Sequence, residues 1–148
     1  MRIHLLSRAA AALTIGTMLA TASPAFAEMM TMKVTLDAAQ EVPPNDSAGK
    51  GTADVSFDTE SKKLDWTLEY SGLTDEATAA HFHGPAAAEA TAGPVVPIDG
   101  DLASPIEGSA TLTEEQATQL QDGMWYFNVH TAAHPDGEIR GQVMAAAM

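Results

Sequence analysis

The stretch Lys63-Leu64-Asp65-Trp66-Thr67-Leu68-Glu69-Tyr70 alternates without a miss: Leu64, Trp66, Leu68 and Tyr70 project to one side, and Lys63, Asp65, Thr67 and Glu69 to the other. This period of two describes a strand with one face in a core and the other in water. Just upstream, Ala53-Asp54-Val55-Ser56-Phe57 keeps the same period, and the polar stretch Asp58 to Lys62 separates the two, so the pair reads as an antiparallel hairpin. Met32 to Leu36 alternates more weakly and runs into Glu41-Val42-Pro43-Pro44-Asn45-Asp46, which is loop chemistry.

Further strands follow. Ala80 to His83 forms one that stops at Gly84-Pro85, and the proline-flanked Gly93 to Gly100 suits a short edge strand, because proline cannot donate to a ladder. Ile106 to Leu112 is another. One helix is expected, opened by the capping box Thr113 with Gln116, with Ala117 and Leu120 on one face and Gly123 at the stop. Trp125 to Thr131 and Glu138 to Met144 close the chain around a turn at Pro135-Asp136-Gly137. Many short strands, frequent turns and one short helix predict an all-β, antiparallel β-sandwich. Met29 to Met32 and Ala145 to Met148 are expected to fray.

The chain has 148 residues and no cysteine, with 20 acidic against 7 basic residues and a formal net charge of -13. Residues 1–27 read as an export signal: Arg2 and Arg8 precede the apolar run Ala9 to Ala20, and Ala25-Phe26-Ala27 has the small-x-small form at which such leaders are cleaved. The run is too short to span a bilayer comfortably, and no second one follows it. What remains, 28–148, is one domain. Its five basic residues, Lys33, Lys50, Lys62, Lys63 and Arg140, stand against all 20 acids, a net charge of -15. The expected location is secreted or periplasmic. Such acidity argues against nucleic acid and anionic lipid, which call for basic footprints, and makes cations the natural partners. Without thiolates, a bound metal has to be held by His, carboxylate or Met.

Apart from His4 in the leader, the histidines fall into two tight groups, His81 with His83 and His130 with His134. Residues two apart in a strand share a face, so His81 and His83 project together while Phe82 turns away. In the later strand Tyr126, Asn128 and His130 share a polar face, and Trp125, Phe127 and Val129 form the core face. If the strands meet, His81, His83 and His130 converge as a three-nitrogen cluster suited to copper or zinc, with His134 as an optional fourth ligand. Asn128 and Glu138 are candidates to fix an imidazole tautomer by hydrogen bonding. Arg140, alone among many acids, is expected to make a bidentate fork to a carboxylate and so lock the last strand. Against these readings stand plainer ones. Histidines on a sheet face can be solvated, Asp99-Gly100-Asp101 and Asp136-Gly137-Glu138 lack EF-hand spacing and read as solvated turns, and the Met29 to Met32 thioethers read as tail.

Three motifs in order carry a resemblance: Ala80-His81-Phe82-His83-Gly84-Pro85, then Trp125-Tyr126-Phe127-Asn128-Val129-His130-Thr131, then Pro135-Asp136-Gly137-Glu138-Ile139-Arg140-Gly141-Gln142. Together with the opening Val34 to Pro44, they closely resemble the CHRD domain, first named for chordin and found also as a stand-alone secreted protein in bacteria. The resemblance covers about residues 31 to 144. It implies an immunoglobulin-like or superoxide-dismutase-like sandwich. Chordin's role as an extracellular antagonist of growth-factor signalling need not transfer. The H-x-H strand is also similar to the copper-ligating strand of copper-zinc superoxide dismutase, but that two-metal centre needs six histidines and an aspartate, more histidines than the chain offers after its leader. The expected function is therefore metal binding or buffering without turnover. A metal-free structural or adhesive module meeting an extracellular protein partner is the alternative, and a single-copper redox enzyme a third.

Overall fold

A computed structural model describes residues 26–145; the expected leader lies outside the described residues except for Phe26 and Ala27, as do residues 146–148. The fold has eight strands: β1 (Met29–Asp37), β2 (Lys50–Asp58), β3 (Lys63–Ser71), β4 (Ala77–His83), β5 (Pro94–Pro97), β6 (Ile106–Thr111), β7 (Trp125–Thr131) and β8 (Ile139–Val143). Among the described residues one helix, α1 (Glu114–Gln121), and a 3-10 turn (Ala38–Gln40) complete it. All ladders are antiparallel. The all-β class with one short helix is therefore as the sequence indicates.

The layers differ from those of two separate sheets. The strands form one continuous sheet in the order β5-β4-β7-β8-β1-β2-β3-β6. β8 and β1 join its halves through the single rung Asp37 to Arg140. The backbones come so close there that a Cβ on Gly141 would lie 2.4 Å from the Thr35 carbonyl oxygen, which only glycine tolerates. The sheet curls nearly into a barrel and folds β3 over β4, so that Trp66 meets Phe82 edge-on at 5.2 Å between ring centroids. The alternating residues Leu64, Trp66 and Leu68 from β3, Ala53, Val55 and Phe57 from β2, and Trp125, Phe127 and Val129 from β7 fill the space between the halves.

The hairpin expected from the period-two stretches is present, with Phe57 paired to Leu64 and Val55 to Trp66. The helix carries both halves of its capping box: the Gln116 amide donates to Thr113 Oγ1 and the Thr113 amide to Gln116 Oε1. Ala117 and Leu120 are buried, and Gly123 ends it with φ +71°. One expectation fails at the front of the domain. Met29 to Met32 do not fray; they pair in register with Asp58 to Val55, and the polar Thr31 alternates outward from buried Met32. The ladder satisfies backbone groups that a free tail would leave to water. No helix among the described residues is long and apolar enough to cross a membrane.

Candidate metal centre

β7 places the site. All seven of its residues are buried, although they alternate between an apolar and a polar face. Trp125, Phe127 and Val129 enter the core; Tyr126, Asn128 and His130 face outward yet are covered as well. The cover is the segment between Gly84 and Gly93, closed by a hydrogen bond from the Gly84 amide to the Gly93 carbonyl, together with Glu41 and the Pro135 turn. Gln142 on β8 pins this segment by donating from Nε2 to the carbonyls of Ala86 and Gly123.

β4 pairs with β7 in the register His83 to Tyr126, His81 to Asn128 and Ala79 to His130. Period two thus brings His81 and His83 to the face that carries His130, which sits diagonally from His81. The ligand nitrogens of His81, His83 and His130 all lie within 4.8 Å of one another. His81 Nδ1 and His130 Nε2 are 3.3 Å apart. That spacing is close to the edge between two imidazole nitrogens sharing a metal at about 2.0 to 2.1 Å, which is roughly 3.4 Å for a tetrahedron.

Backbone carbonyls set the tautomers. His83 Nδ1 donates to the Ala92 carbonyl at 2.9 Å and His130 Nδ1 to the Pro135 carbonyl at 3.0 Å, so each ring keeps a lone pair on Nε2. The Nε2 of His83 is buried with no partner among the described residues. Burial lowers the proton affinity of all three rings, aided for His81 by the neighbouring His130. The carbonyls of Ala92 and Pro135 oppose this for His83 and His130 without reversing it, while His81, His130 and Arg140 lower His83 further. Neutral imidazole is the form that ligates metal. The exposed acids Asp99 and Asp136 favour positive charge near His81 and His130 respectively.

The remaining candidates lie elsewhere. His134 is not in the cluster; its carbonyl accepts from the amides of Thr131 and Gly137 in the turn. Asn128 does not bond an imidazole: its Nδ2 donates to Glu41 Oε1 at 2.6 Å and to the Ile139 carbonyl at 3.0 Å. Glu138 is fully buried and accepts from the hydroxyls of Ser47, Thr74 and Thr131 and from the Thr74 amide, tying three segments together. Burial pushes its carboxyl up, but those donors prevail and hold it below the usual range. The imidazoles are oriented by Ala92 and Pro135 instead, backbone groups that a search of side chains passes over.

Arg140 makes no carboxylate fork. Among the described residues no acid lies within ion-pair distance of it, although it is only 1% exposed. Its Cζ lies 3.6 Å from the centroid of the Tyr126 ring, and Nη2 donates to the Ala87 carbonyl and to Gln142 Oε1. The Tyr126 ring stacks on His83 at 4.8 Å with 10° between planes. Glu41, which sequence reading placed only in a loop, is buried close enough to feel the Arg140 charge. Its carboxyl is pushed up to about 7, because burial outweighs both the bond from Asn128 and the attraction of Arg140.

No curated protein and no solved structure matches the chain. The family model for the CHRD domain, however, matches residues 32–143, from the first buried residue of β1 to the last of β8, and takes in both histidine strands, so the chain belongs to the CHRD-domain family.

Proposed function

We propose that the protein is an exported binding module that holds one copper or zinc ion on His81, His83 and His130. One observation carries this reading: His83 presents a buried, unpartnered Nε2 whose lone pair is fixed by the Ala92 carbonyl, beside a second ring prepared in the same way by Pro135. A buried polar atom without a partner costs free energy, roughly 1–3 kcal/mol, unless something not in the chain completes it. A metal ion accepting lone pairs from three neutral imidazoles does so, and copper and zinc are the ions that imidazole suits best. Export rests on the leader-like residues 1–27, and the strong negative charge favours cations at the surface. The function is binding or buffering of the ion.

Metal analysis and titration calorimetry with Cu and Zn salts test it. One ion per chain is expected, and it should be lost in the His81→Ala, His83→Ala double variant. At a hundredfold excess over the dissociation constant the ion stabilises the fold by about 2.7 kcal/mol, so a chelator should lower the melting temperature of the wild type and leave the variant unmoved. Substoichiometric metal in both proteins would end the proposal.

A further inference from the structure

Tyr126 has an unusual pair of neighbours. β7 lies between β4 and β8 in the sheet, so His83 from β4 and Arg140 from β8 reach the Tyr126 ring from opposite sides. The result is a stack of guanidinium, phenol and imidazole with steps of 3.6 and 4.8 Å. The Ala92 residue clamps its far end, since its carbonyl accepts from both His83 Nδ1 and the Tyr126 hydroxyl. The stack aims a buried and unpaired positive charge at one ligand of the metal site.

We propose that the ion held by the histidines is copper in its monovalent state, and that Arg140, acting through the Tyr126–His83 stack, selects the lower charge. This rests on the metal-binding reading above. Three neutral imidazoles bring no negative charge to offset a divalent ion, and the cluster holds no carboxylate or thiolate. With the guanidinium about 10 Å from the ion at an effective dielectric of about 20, each added unit of positive charge on the ion weakens binding roughly tenfold. Two opposing influences are weaker. Asp99 and Asp136 are exposed, so water and salt screen them. Glu41, the acid whose charge Arg140 feels, is half neutral at pH 7 and offsets the guanidinium only in part. Arg140 is a positioning and charge-setting residue here, in contact with a ligand's neighbour and not with the ion.

The test compares Cu(I) and Cu(II) binding constants of the full chain, by chelator competition under nitrogen and in air respectively. The wild type is expected to hold Cu(I) more tightly. Arg140→Met should lower the ratio of Cu(I) to Cu(II) affinity about tenfold, which for a one-electron couple is about 59 mV in midpoint potential, while Arg140→Lys keeps most of the wild-type ratio. Tighter Cu(II) than Cu(I) in the wild type overturns the proposal even if Arg140→Met fails to fold. Bound copper with an unmoved ratio in a folded Arg140→Met also overturns it. A wild type that binds zinc but copper in neither state overturns it as well, whereas failure to bind either metal overturns instead the metal-binding reading beneath it.

Discussion

The two faces of β7 are buried to the same degree by different physics. On one, Phe127 packs against Phe82 at 4.3 Å between centroids, and Trp125 and Val129 extend the same apolar contact. Removal of area from water stabilises that face, without regard to direction. On the other, Tyr126, Asn128 and His130 are buried one contact at a time, by the Ala92 carbonyl, by Glu41 and by the Pro135 carbonyl. Directional groups leave room for mismatch, and three gather around this face: an unpaired Nε2 on His83, a carboxyl at about 7 on Glu41 and a guanidinium with no acid within ion-pair distance among the described residues; the apolar side carries one, the buried Trp66 Nε1. A strand with one face made of area and the other of specific partners keeps its fold on the first and its chemistry on the second.

The comparison can be broken hardest on the apolar face. Phe127→Ala should cost about 4 kcal/mol in denaturant unfolding, from lost transfer energy and the cavity left behind. A loss below about 1 kcal/mol would show that this face is not the main support. Glu138→Gln comes next. Its amide keeps one oxygen for the Ser47 and Thr74 donors but turns an NH2 toward the Thr131 hydroxyl, and with the charged acceptor gone, stability at pH 7 should fall by about 2 kcal/mol.

Glu41 sharpens the contrast with the opposite sign. Its folded carboxyl titrates near 7 against an ordinary value of 4.5, so the neutral form is favoured in the fold. The contribution is complete below pH 4.5 and is lost as pH rises through 7. Glu41→Gln keeps an acceptor for Asn128 and removes that loss. It should match the wild type near pH 4 and exceed it by about 2 kcal/mol at pH 8; equal stability at both pH values would place the carboxyl in water. The smallest effect belongs to His83→Phe. It removes an orphaned nitrogen and one hydrogen bond together, so stability near pH 8 should change by less than about 1 kcal/mol. The His83 pKa is depressed, so its contribution is present above the ordinary 6.5 and lost as pH falls through the folded value. The variant should therefore lose less stability than the wild type as pH falls below 6.5, as well as losing the ion.

Much of this was legible in the residues because period two is a strong local signal. The alternation through Lys63 to Tyr70 and the capping box at Thr113 fix a strand and a helix without tertiary help. Convergence of His81, His83 and His130 needed one further fact, that β4 and β7 are neighbours, and parity of position then did the rest. What was not legible depends on distant groups. A lone arginine among acids suggests a carboxylate partner, yet β8 sets Arg140 two strands from the His81 and His83 pair, beside a tyrosine on the strand between, and aromatic stacking leaves no sequence period. Proximity in the chain points Asn128 and Glu138 at the imidazoles, while most of their partners come from loops near residues 41, 47 and 74, and the rest are Ile139 and Thr131 on β8 and β7. The burial of a polar face was equally hidden, since the cover is a segment of small residues without pattern.

The single rung between β8 and β1 divides labour across the sheet. Every imidazole of the cluster belongs to the half made by β5, β4, β7 and β8, and none to the other four strands. The solvent-facing side of β1, β2 and β3, where Lys33 meets Asp54 at 3.2 Å and Lys63 meets Asp65 at 2.7 Å, is thus free of duties toward the ion. Dyes, tethers or surface-engineering substitutions can be installed there, giving an optical reporter or an immobilised form of the protein whose histidines remain as they are in the native chain.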